Sequence, residues 1–530
     1  IVNRQQQELT KILKKFDHFC LKYGIDYYLC GGSALGAIRH NGFLPWDDDV
    51  DLDITRANYQ KLQECSDKLE QETDLVVVDS SRYPHYSNTL VRIVEKKNTM
   101  IFQHRMVDKT PKGYFIELFI MDPIPRDRDK KKAWLTKHWV YTELHSISFL
   151  SANTKIMDFL DEKMLMKYIQ RYQREGKNKV LTELSEELFT VPESESDEYR
   201  FRWGINKNIY PISWFGKPQY VPFEDFKLPV PQQVMKCLRA DYGDSWMMIP
   251  DEEGRITHED MVDNLDVPYD KYVEDYQQFI DEDAVFQAYI PRKIGRAKKF
   301  FNRMRSLEKS QELQRMLVLK QMENVSLPLL EVYQKDRKYD AIENIFRIWY
   351  KYQFDLLFVQ NSAYLDIGDN RLWYALLPLL IRGEWSKVRK VLRWRYKMYG
   401  KSEILEPMEE YVDGIQGAYV QCDCGEYDDI SKYLEKIKMF SLATETFDYQ
   451  YLSLRMCIEQ STVLCEAECM NILQQGETLY EKYPDKEEIL CIMGDACRKG
   501  GKKEKAHQYY QECKKKTRNG MIIQYINSIC

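Results

Sequence analysis

No stretch of this sequence is apolar for long enough to cross a membrane. The longest apolar run, residues 376–381, contains Pro378 and falls far short of the about 20 residues that a spanning helix requires. The amino-terminal residues also lack the pattern of a secretory signal peptide. From these absences we expect a cytoplasmic protein whose contact with a membrane is limited to the surface of its inner face.

The chain also lacks net positive charge and paired cysteines. Its formal net charge is −6, which argues against a nucleic-acid partner because no overall basic field is present. Thirteen cysteines are scattered along it. Neither Cys422 with Cys424 nor Cys465 with Cys469 is matched by a second ligand pair at zinc-finger distance. We therefore expect most cysteines to be buried, reduced thiols.

The most informative stretch that is present runs from residue 27 to residue 54. Residues 27–30 form an apolar and aromatic run typical of a strand, and Gly31, Gly32 and Ser33 end it. Ser33 has the residue type of a helix N-cap ahead of residues 34–39. A strand, two glycines and a helix start leave backbone N–H groups facing one point, which suits a phosphate.

Five aspartates follow within seven residues. Aliphatic residues alternate with the last three, so we expect these acids on one face of a strand while the aliphatic side chains enter a core. Like charges this close require a cation or shifted pKa values, and a ligand set of oxygens alone favours Mg²⁺ or Mn²⁺ over zinc. The acids are Asp47, Asp48, Asp49, Asp51 and Asp53, and the aliphatic residues are Val50, Leu52 and Ile54.

Residues 31–54, GGSALGAIRHNGFLPWDDDVDLDI, resemble the signature of the LicD/fukutin family of phosphotransferases. The resemblance extends over roughly residues 5 to 265. It implies an α+β nucleotidyltransferase-like catalytic domain with a mixed sheet flanked by helices. It also implies transfer of a phosphorylated group, phosphocholine in LicD proteins, from a cytidine diphosphate-linked alcohol to a glycan hydroxyl. The acceptor would be a cell-surface glycan or its lipid-linked precursor.

The resemblance implies roles for eight residues near the signature. The predicted catalytic and metal-binding residues are Asp49, Asp51 and Glu117, and the predicted donor-binding residues are Gly31, Gly32, Ser33, Arg39 and Arg92. Asp47 would support the turn.

Glu117 is the only charge inside an otherwise apolar strand in residues 113–123, with Asp122 at the strand's end, and such a residue is seldom buried without a partner. The family more often has aspartate there, so Glu117 is either a third metal ligand or the base for the acceptor hydroxyl. Asp122 is a second candidate for this position. Asp53 is either an outer acid or a solvent-facing strand end.

The rest of the N-terminal half carries weaker signals. We expect helices over residues 3–23, 56–71 and 133–172, short strands over 75–78 and 89–94, and a solvated turn over 126–132. Trp203, Trp214 and Phe215 could form a cage for a quaternary ammonium or belong to a core. Glu224 and Asp225 have no assigned role. Residues 291–305 alternate basic and apolar side chains, which is typical of a membrane-surface helix and also of a linker helix.

From Leu317 onwards the pattern is helical. Residues 484–513 resemble a tetratricopeptide unit, so an all-α helical-repeat domain is expected, with a concave face that could dock an acceptor, a protein partner or a second copy. We predict three segments: a catalytic domain over 1–268, a basic linker over 269–315 and the helical domain over 316–530. Two alternatives to a phosphotransferase stay open. One is a nucleotidyltransferase acting on a small molecule or protein, and the other is a non-catalytic scaffold.

Overall fold

The structure is a computed structural model that divides into two compact units, Ile1–Arg305 and Ser306–Cys530. The described residues are 3–84, 86, 89–102, 108–145, 161–200, 209–243, 245–250, 261–272, 315–356, 364–424 and 427–529, with a few single positions between 281 and 313. The predicted segment boundaries at 268 and 315 stay predictions.

A mixed sheet forms the centre of the first unit. Its strand order is β1-β2-β6-β4-β3, with β7 paired to the end of β6 and β8 paired to β7. Only the β2–β6 pair in this sheet is parallel among the described pairings, and the others are antiparallel. The strands are β1 Tyr28–Leu29, β2 Asp51–Thr55, β3 Leu75–Val78, β4 Val91–Glu95, β6 Phe115–Pro123, β7 Glu198–Arg200 and β8 Ile209–Pro211.

Two antiparallel pairs lie outside the central sheet. Strand β5, Thr99–Phe102, pairs with β11, Met261–Asn264. Strand β9, Gln219–Phe223, forms a hairpin with β10, Phe226–Val230. The α+β class with a mixed sheet and flanking helices is therefore confirmed.

Helix α1, Arg4–Tyr23, covers one face of the sheet. Its apolar side is buried because residues spaced by three and four share one side of a helix. Six of its side chains are at most 1% exposed: Leu9, Ile12, Leu13, Phe16, Phe19 and Cys20. Asn3 caps the first turn and Gly24, with φ of 64°, ends the helix in the left-handed region. The core against it includes Leu52 and Ile54 from β2, so the predicted burial of these aliphatic residues is confirmed. Asp49, which was expected on the same strand, precedes it, because β2 begins at Asp51.

The other helices of the first unit differ from expectation in two places. The single helix expected over 56–71 is two helices that meet at Cys65, and the charged turn expected over 126–132 is partly helical because α5 begins at Arg128. The helices are α2 Gly31–His40, α3 Arg56–Glu64, α4 Ser66–Thr73, α5 Arg128–His145, α6 Glu162–Glu175, α7 Lys177–Leu188 and α8 Val234–Tyr242.

The second unit is helical throughout its described residues, as predicted. Two of its hairpins repeat one contact: a Cβ on Gly417 or Gly494 would collide with the ring of Tyr433 or Tyr510, sixteen positions further on. The helices are α9 Leu327–Lys335, α10 Tyr339–Tyr350, α11 Asp369–Ile381, α12 Trp385–Tyr399, α13 Glu406–Cys424, α14 Tyr427–Lys438, α15 Phe447–Glu459, α16 Glu466–Lys482, α17 Glu488–Lys499, α18 Lys503–Lys516 and α19 Gly520–Ile529. The tetratricopeptide assignment itself stays a prediction.

Within the described residues, none of the helices combines the length and the apolar character needed to cross a bilayer. None of the cysteines whose side chains the structure describes forms a disulfide, and those at positions 20, 30, 469, 491, 497 and 513 are buried.

Candidate active site

Helix α2 begins directly after β1, at Gly31. Its N-cap is Cys30, so the expectation that Ser33 caps the helix is wrong. Gly31 has a φ of 52°, a value that non-glycine residues rarely adopt, and this lets the chain turn from strand to helix three residues earlier than expected. Ser33 is instead 2% exposed, and its Oγ accepts a hydrogen bond from the backbone N–H of Asp51 at 2.9 Å.

The start of β2 is fixed against this turn from two sides. The backbone N–H of Cys30 donates to the carbonyl oxygen of Asp51 at 3.0 Å, while the N–H of Asp51 donates to Ser33. The glycine turn and the acidic stretch are therefore held together by the backbone of Asp51. The sequence placed both features in one site, and the structure provides the contacts that join them.

Asp47, Asp48 and Asp49, which we call the acidic turn, lie between α2 and β2. Each contributes a carboxylate oxygen, and these oxygens lie within 4.8 Å of one another. A Cβ on Gly32 would come within 2.9 Å of Asp47 Oδ2, so only glycine at position 32 lets the Asp47 carboxylate come so close to the start of α2. Three clustered carboxylates with no sulfur or nitrogen ligand fit a hard divalent cation such as Mg²⁺ or Mn²⁺.

Two glutamines of α1 hold the acidic turn. Gln6 is 2% exposed, and its Nε2 donates to the carbonyl oxygens of Leu44 at 3.1 Å and Asp47 at 2.8 Å. Gln5 Nε2 donates to the carbonyl oxygen of Asp48 at 3.1 Å. Buried backbone carbonyls need hydrogen-bond donors of this kind, so helix α1 fixes the position of the three carboxylates.

The other predicted acids form a row across three strands, which we call the charged row. Asp51 on β2 is the register partner of Glu117 on β6, and Glu117 is the partner of Arg92 on β4. Arg92 donates to Glu117 Oε1 from Nη2 at 2.9 Å and from Nε at 3.1 Å. The guanidinium also lies 4.0 Å from the ring centroid of Phe115. The predicted acid and its predicted cation are thus direct partners.

Arg39 lies in the last turn of α2, at the opposite end from the glycines. Its Nη1 donates to the carbonyl oxygens of Trp246 at 3.2 Å and Met248 at 3.0 Å. Its guanidinium packs over the ring of Trp46, the neighbour of Asp47 in the chain, at 5.9 Å. The structure thus assigns Arg39 a contact that ties the acidic turn to the segment after α8. Beside it, burial lowers the pKa of His40 to about 4.

Four further acids that the sequence singled out belong neither to the acidic turn nor to the charged row. Asp53 is 2% exposed, so of the two alternatives for this residue the solvent-facing strand end is wrong. Asp122 is ion-paired with Arg56, Nε to Oδ1 at 2.6 Å, and takes no part in the charged row. Glu224 accepts from the backbone N–H of Phe43 at 3.0 Å and supports the turn after α2.

Asp225 pairs with Lys14 at 2.6 Å on the surface. Phe215 is a core residue, 2% exposed, against Tyr28 and Tyr199. Trp203 and most of the basic segment 291–305 lie outside the described residues.

A family model described as "LicD/FKTN/FKRP, nucleotidyltransferase domain" matches residues 24–156. The matched residues are thus similar to a LicD-family nucleotidyltransferase domain. All eight predicted site residues fall inside the matched range. The lipopolysaccharide cholinephosphotransferase LicD of Haemophilus influenzae is 24% identical over 280 residues, which are 48% of this chain and 95% of that protein.

Two shorter matches are to uncharacterized proteins. The protein of Rickettsia prowazekii is 29% identical over 121 residues, which are 22% of this chain and 45% of that protein. The protein of Rickettsia typhi is 25% identical over 123 residues, 22% of this chain and 38% of that protein. No solved structure gives a significant match.

Two members of the candidate site were not predicted from the sequence. Asp48 was not assigned as a ligand, yet it is 8% exposed and belongs to the acidic turn. Gln6 was not noticed, although it lies three positions before Leu9 on the apolar side of α1. A polar residue on the buried stripe of a helix was the signal that could have identified it.

Proposed function

We propose that this chain is a metal-dependent phosphotransferase. It moves phosphocholine, or a related phospho-alcohol, from a cytidine diphosphate-linked donor to a hydroxyl of a cell-surface glycan or its lipid-linked precursor. The observation that carries the proposal is the acidic turn packed against Gly32 at the start of α2, within a LicD-family domain. The name of the Haemophilus relative, a lipopolysaccharide cholinephosphotransferase, supports the choice of donor and acceptor.

The proposal gives the residues distinct tasks. Asp47, Asp48 and Asp49 would hold the divalent cation, and Asp51 stands next to them at the start of β2. The cation, when bound, neutralises charge on the donor diphosphate. Backbone N–H groups at the start of α2 favour the same negative charge.

Glu117 would either add a ligand or accept the proton of the attacking hydroxyl. In both roles its orientation is set by the hydrogen bonds from Arg92. Positioning and charge compensation of this kind supply most of the catalysis in phosphoryl transfer.

Calorimetry with cytidine diphosphate-choline, with and without Mg²⁺, tests the site. We expect metal-dependent binding by the wild type and its loss in Asp49→Asn, because the substitution removes one charge of the acidic turn and keeps its shape. Asp225→Asn is the matched control, since Asp225 is an exposed acid paired with Lys14 outside the site. Equal, metal-independent binding by all three proteins would refute the assignment of the acidic turn.

The nucleotide product separates the two chemistries of this fold. A phosphotransferase releases cytidine monophosphate, whereas a nucleotidyltransferase releases pyrophosphate from a nucleoside triphosphate. Product analysis by anion-exchange chromatography, with the wild type and Asp49→Asn, distinguishes them. Release of neither product from any nucleotide donor would favour a non-catalytic scaffold.

A further inference from the structure

A cleft of about 380 Å³ lies in the first unit, beside the proposed active site. Helix α3, the segment after β3, the end of β6 and helices α5 and α7 form its walls. Gln60 on α3 and Glu186 on α7 are exposed at its rim, so the cleft opens to solvent between these helices. Its size falls in the range of about 300–1,000 Å³ that is typical of small-molecule sites.

The cleft and the charged row share a wall. Phe119, which lines the cleft, follows Glu117 by two residues on β6, so both side chains project from the same face of the sheet about 7 Å apart. Ile120 and Asp122 also line the cleft and project from the opposite face. Phe119 packs with Leu90 and with Cys30, the N-cap of α2. A molecule in the cleft would therefore lie next to the start of α2 without covering the acidic turn.

The charges of the cleft do not favour a phosphate. Its one arginine, Arg56, forms a bidentate ion pair with Asp122 at 2.6 and 3.0 Å. Asp79 is 3% exposed and accepts a hydrogen bond from Tyr59 at 2.7 Å, and Glu186 adds a further carboxylate at the rim. Burial lowers the pKa of His138 well below its ordinary value, so this imidazole adds no positive charge.

A quaternary ammonium is also disfavoured, because a cation of the protein already occupies the aromatic faces. The Arg56 guanidinium lies 3.9 Å from the ring centroid of Phe189 and 5.5 Å from that of Tyr59. Both rings line the cleft. A choline group in the same place would find these ring faces already covered by Arg56 and would lose the cation–π contact that normally holds it.

The remaining lining groups suit a neutral molecule rich in hydroxyls. The hydroxyls of Ser81, Thr142 and Ser185 donate hydrogen bonds within the protein, and their oxygens can still accept one from a ligand hydroxyl. The amide nitrogen of Gln63 likewise donates to Tyr59, which leaves its amide oxygen as an acceptor. Tyr141 adds aromatic surface. We propose that this cleft binds one glycosyl unit of the acceptor glycan and so brings a hydroxyl towards the charged row. The assignment of the sugar to an acceptor rests on the proposed function, whereas sugar binding in the cleft does not.

Saturation-transfer NMR on the full chain tests the assignment. The probes are methyl glucopyranoside, methyl galactopyranoside and methyl N-acetylglucosaminide, with phosphocholine as the comparison. Ser185→Phe fills the cleft from α7, and Thr182→Phe is the matched control because Thr182 is exposed on the same helix and does not line the cleft. Gln60→Trp, which reaches the cleft from α3, replaces the first variant if Ser185→Phe does not fold.

We expect saturation of at least one glycoside by the wild type and by Thr182→Phe. The cleft-filling variant should weaken that binding by about tenfold or more, equivalent to about 1.4 kcal/mol. Glycoside binding that survives in the filled cleft, or its absence from the wild type, overturns the proposal. Loss of phosphocholine binding in Ser185→Phe would also overturn it, since the cleft would then hold the donor group.

The two proposals fail separately. Glycoside binding that Ser185→Phe abolishes, together with no metal-dependent donor binding by the wild type, would refute the phosphotransferase and leave the sugar site standing. Donor binding that depends on Asp49, together with no glycoside binding, would refute the sugar site and support the phosphotransferase.

Discussion

The Arg92–Glu117 pair can be tested by replacing both residues with methionine, singly and together. The two side chains are only 11% and 13% exposed, so each single variant leaves the other charge with little access to water. Removing one partner of a buried ion pair costs about 3–5 kcal/mol, and this partial exposure places the cost near the lower end, about 3 kcal/mol for each variant. The double variant removes both charges and should lose only about 1 kcal/mol, because methionine fills similar volume.

Urea unfolding of the full chain, followed by circular dichroism, measures these free energies. The matched control is the Arg126–Asp197 pair, whose side chains are 58% and 64% exposed. The same set of methionine substitutions at that pair should show no measurable coupling.

Activity separates a structural pair from a catalytic one. We expect Arg92→Met/Glu117→Met to regain stability while its release of cytidine monophosphate stays about 100-fold or more below the wild type, as is typical when an acid–base group is lost. A double variant that is both stable and fully active would refute a catalytic role for Glu117. Single variants as stable as the wild type would refute the claim that either buried charge destabilises the protein when its partner is removed.

Three further predictions concern the acidic turn and the helical unit. Gln6→Leu removes the hydrogen-bond donor of the Leu44 and Asp47 carbonyls, which should lower stability by about 1–3 kcal/mol for each carbonyl. It should also weaken Mg²⁺ binding in calorimetry. Gln7→Leu is the control, because Gln7 is exposed, and should leave Mg²⁺ binding unchanged. Gly32→Ala pushes against the Asp47 carboxylate, 2.9 Å from the added Cβ, so metal affinity should fall while the melting temperature holds. Burial raises the pKa of Asp448 from 3.8 to about 7. Between pH 3.8 and about pH 7 the folded state keeps the Asp448 proton that the unfolded state has lost. The free energy of unfolding is therefore greatest below pH 3.8, and it falls by roughly 4 kcal/mol as the pH rises to about 7. Asp448→Asn should flatten that dependence in unfolding measured from pH 4 to pH 8, and an unchanged slope would contradict the assignment.

Features that depend on neighbouring residues were determined by the sequence alone. The apolar stripe of α1, the alternation in β2 and the strand at Leu75–Val78 follow from the periods of helix and strand. The sequence also identified the glycine turn and the aspartates, because both occur within one short stretch. The family that these residues indicated is the family whose model matches the chain.

Contacts between distant residues were decided only by the tertiary structure. Glu117 could be recognised as an unusual charge in a strand, but its placement between Asp51 and Arg92 depends on the register of three strands. Asp122 resembled Glu117 in sequence, but Asp122 pairs with Arg56 whereas Glu117 pairs with Arg92. Strand register and side-chain pairing follow from how the whole core packs, and no local pattern specifies them.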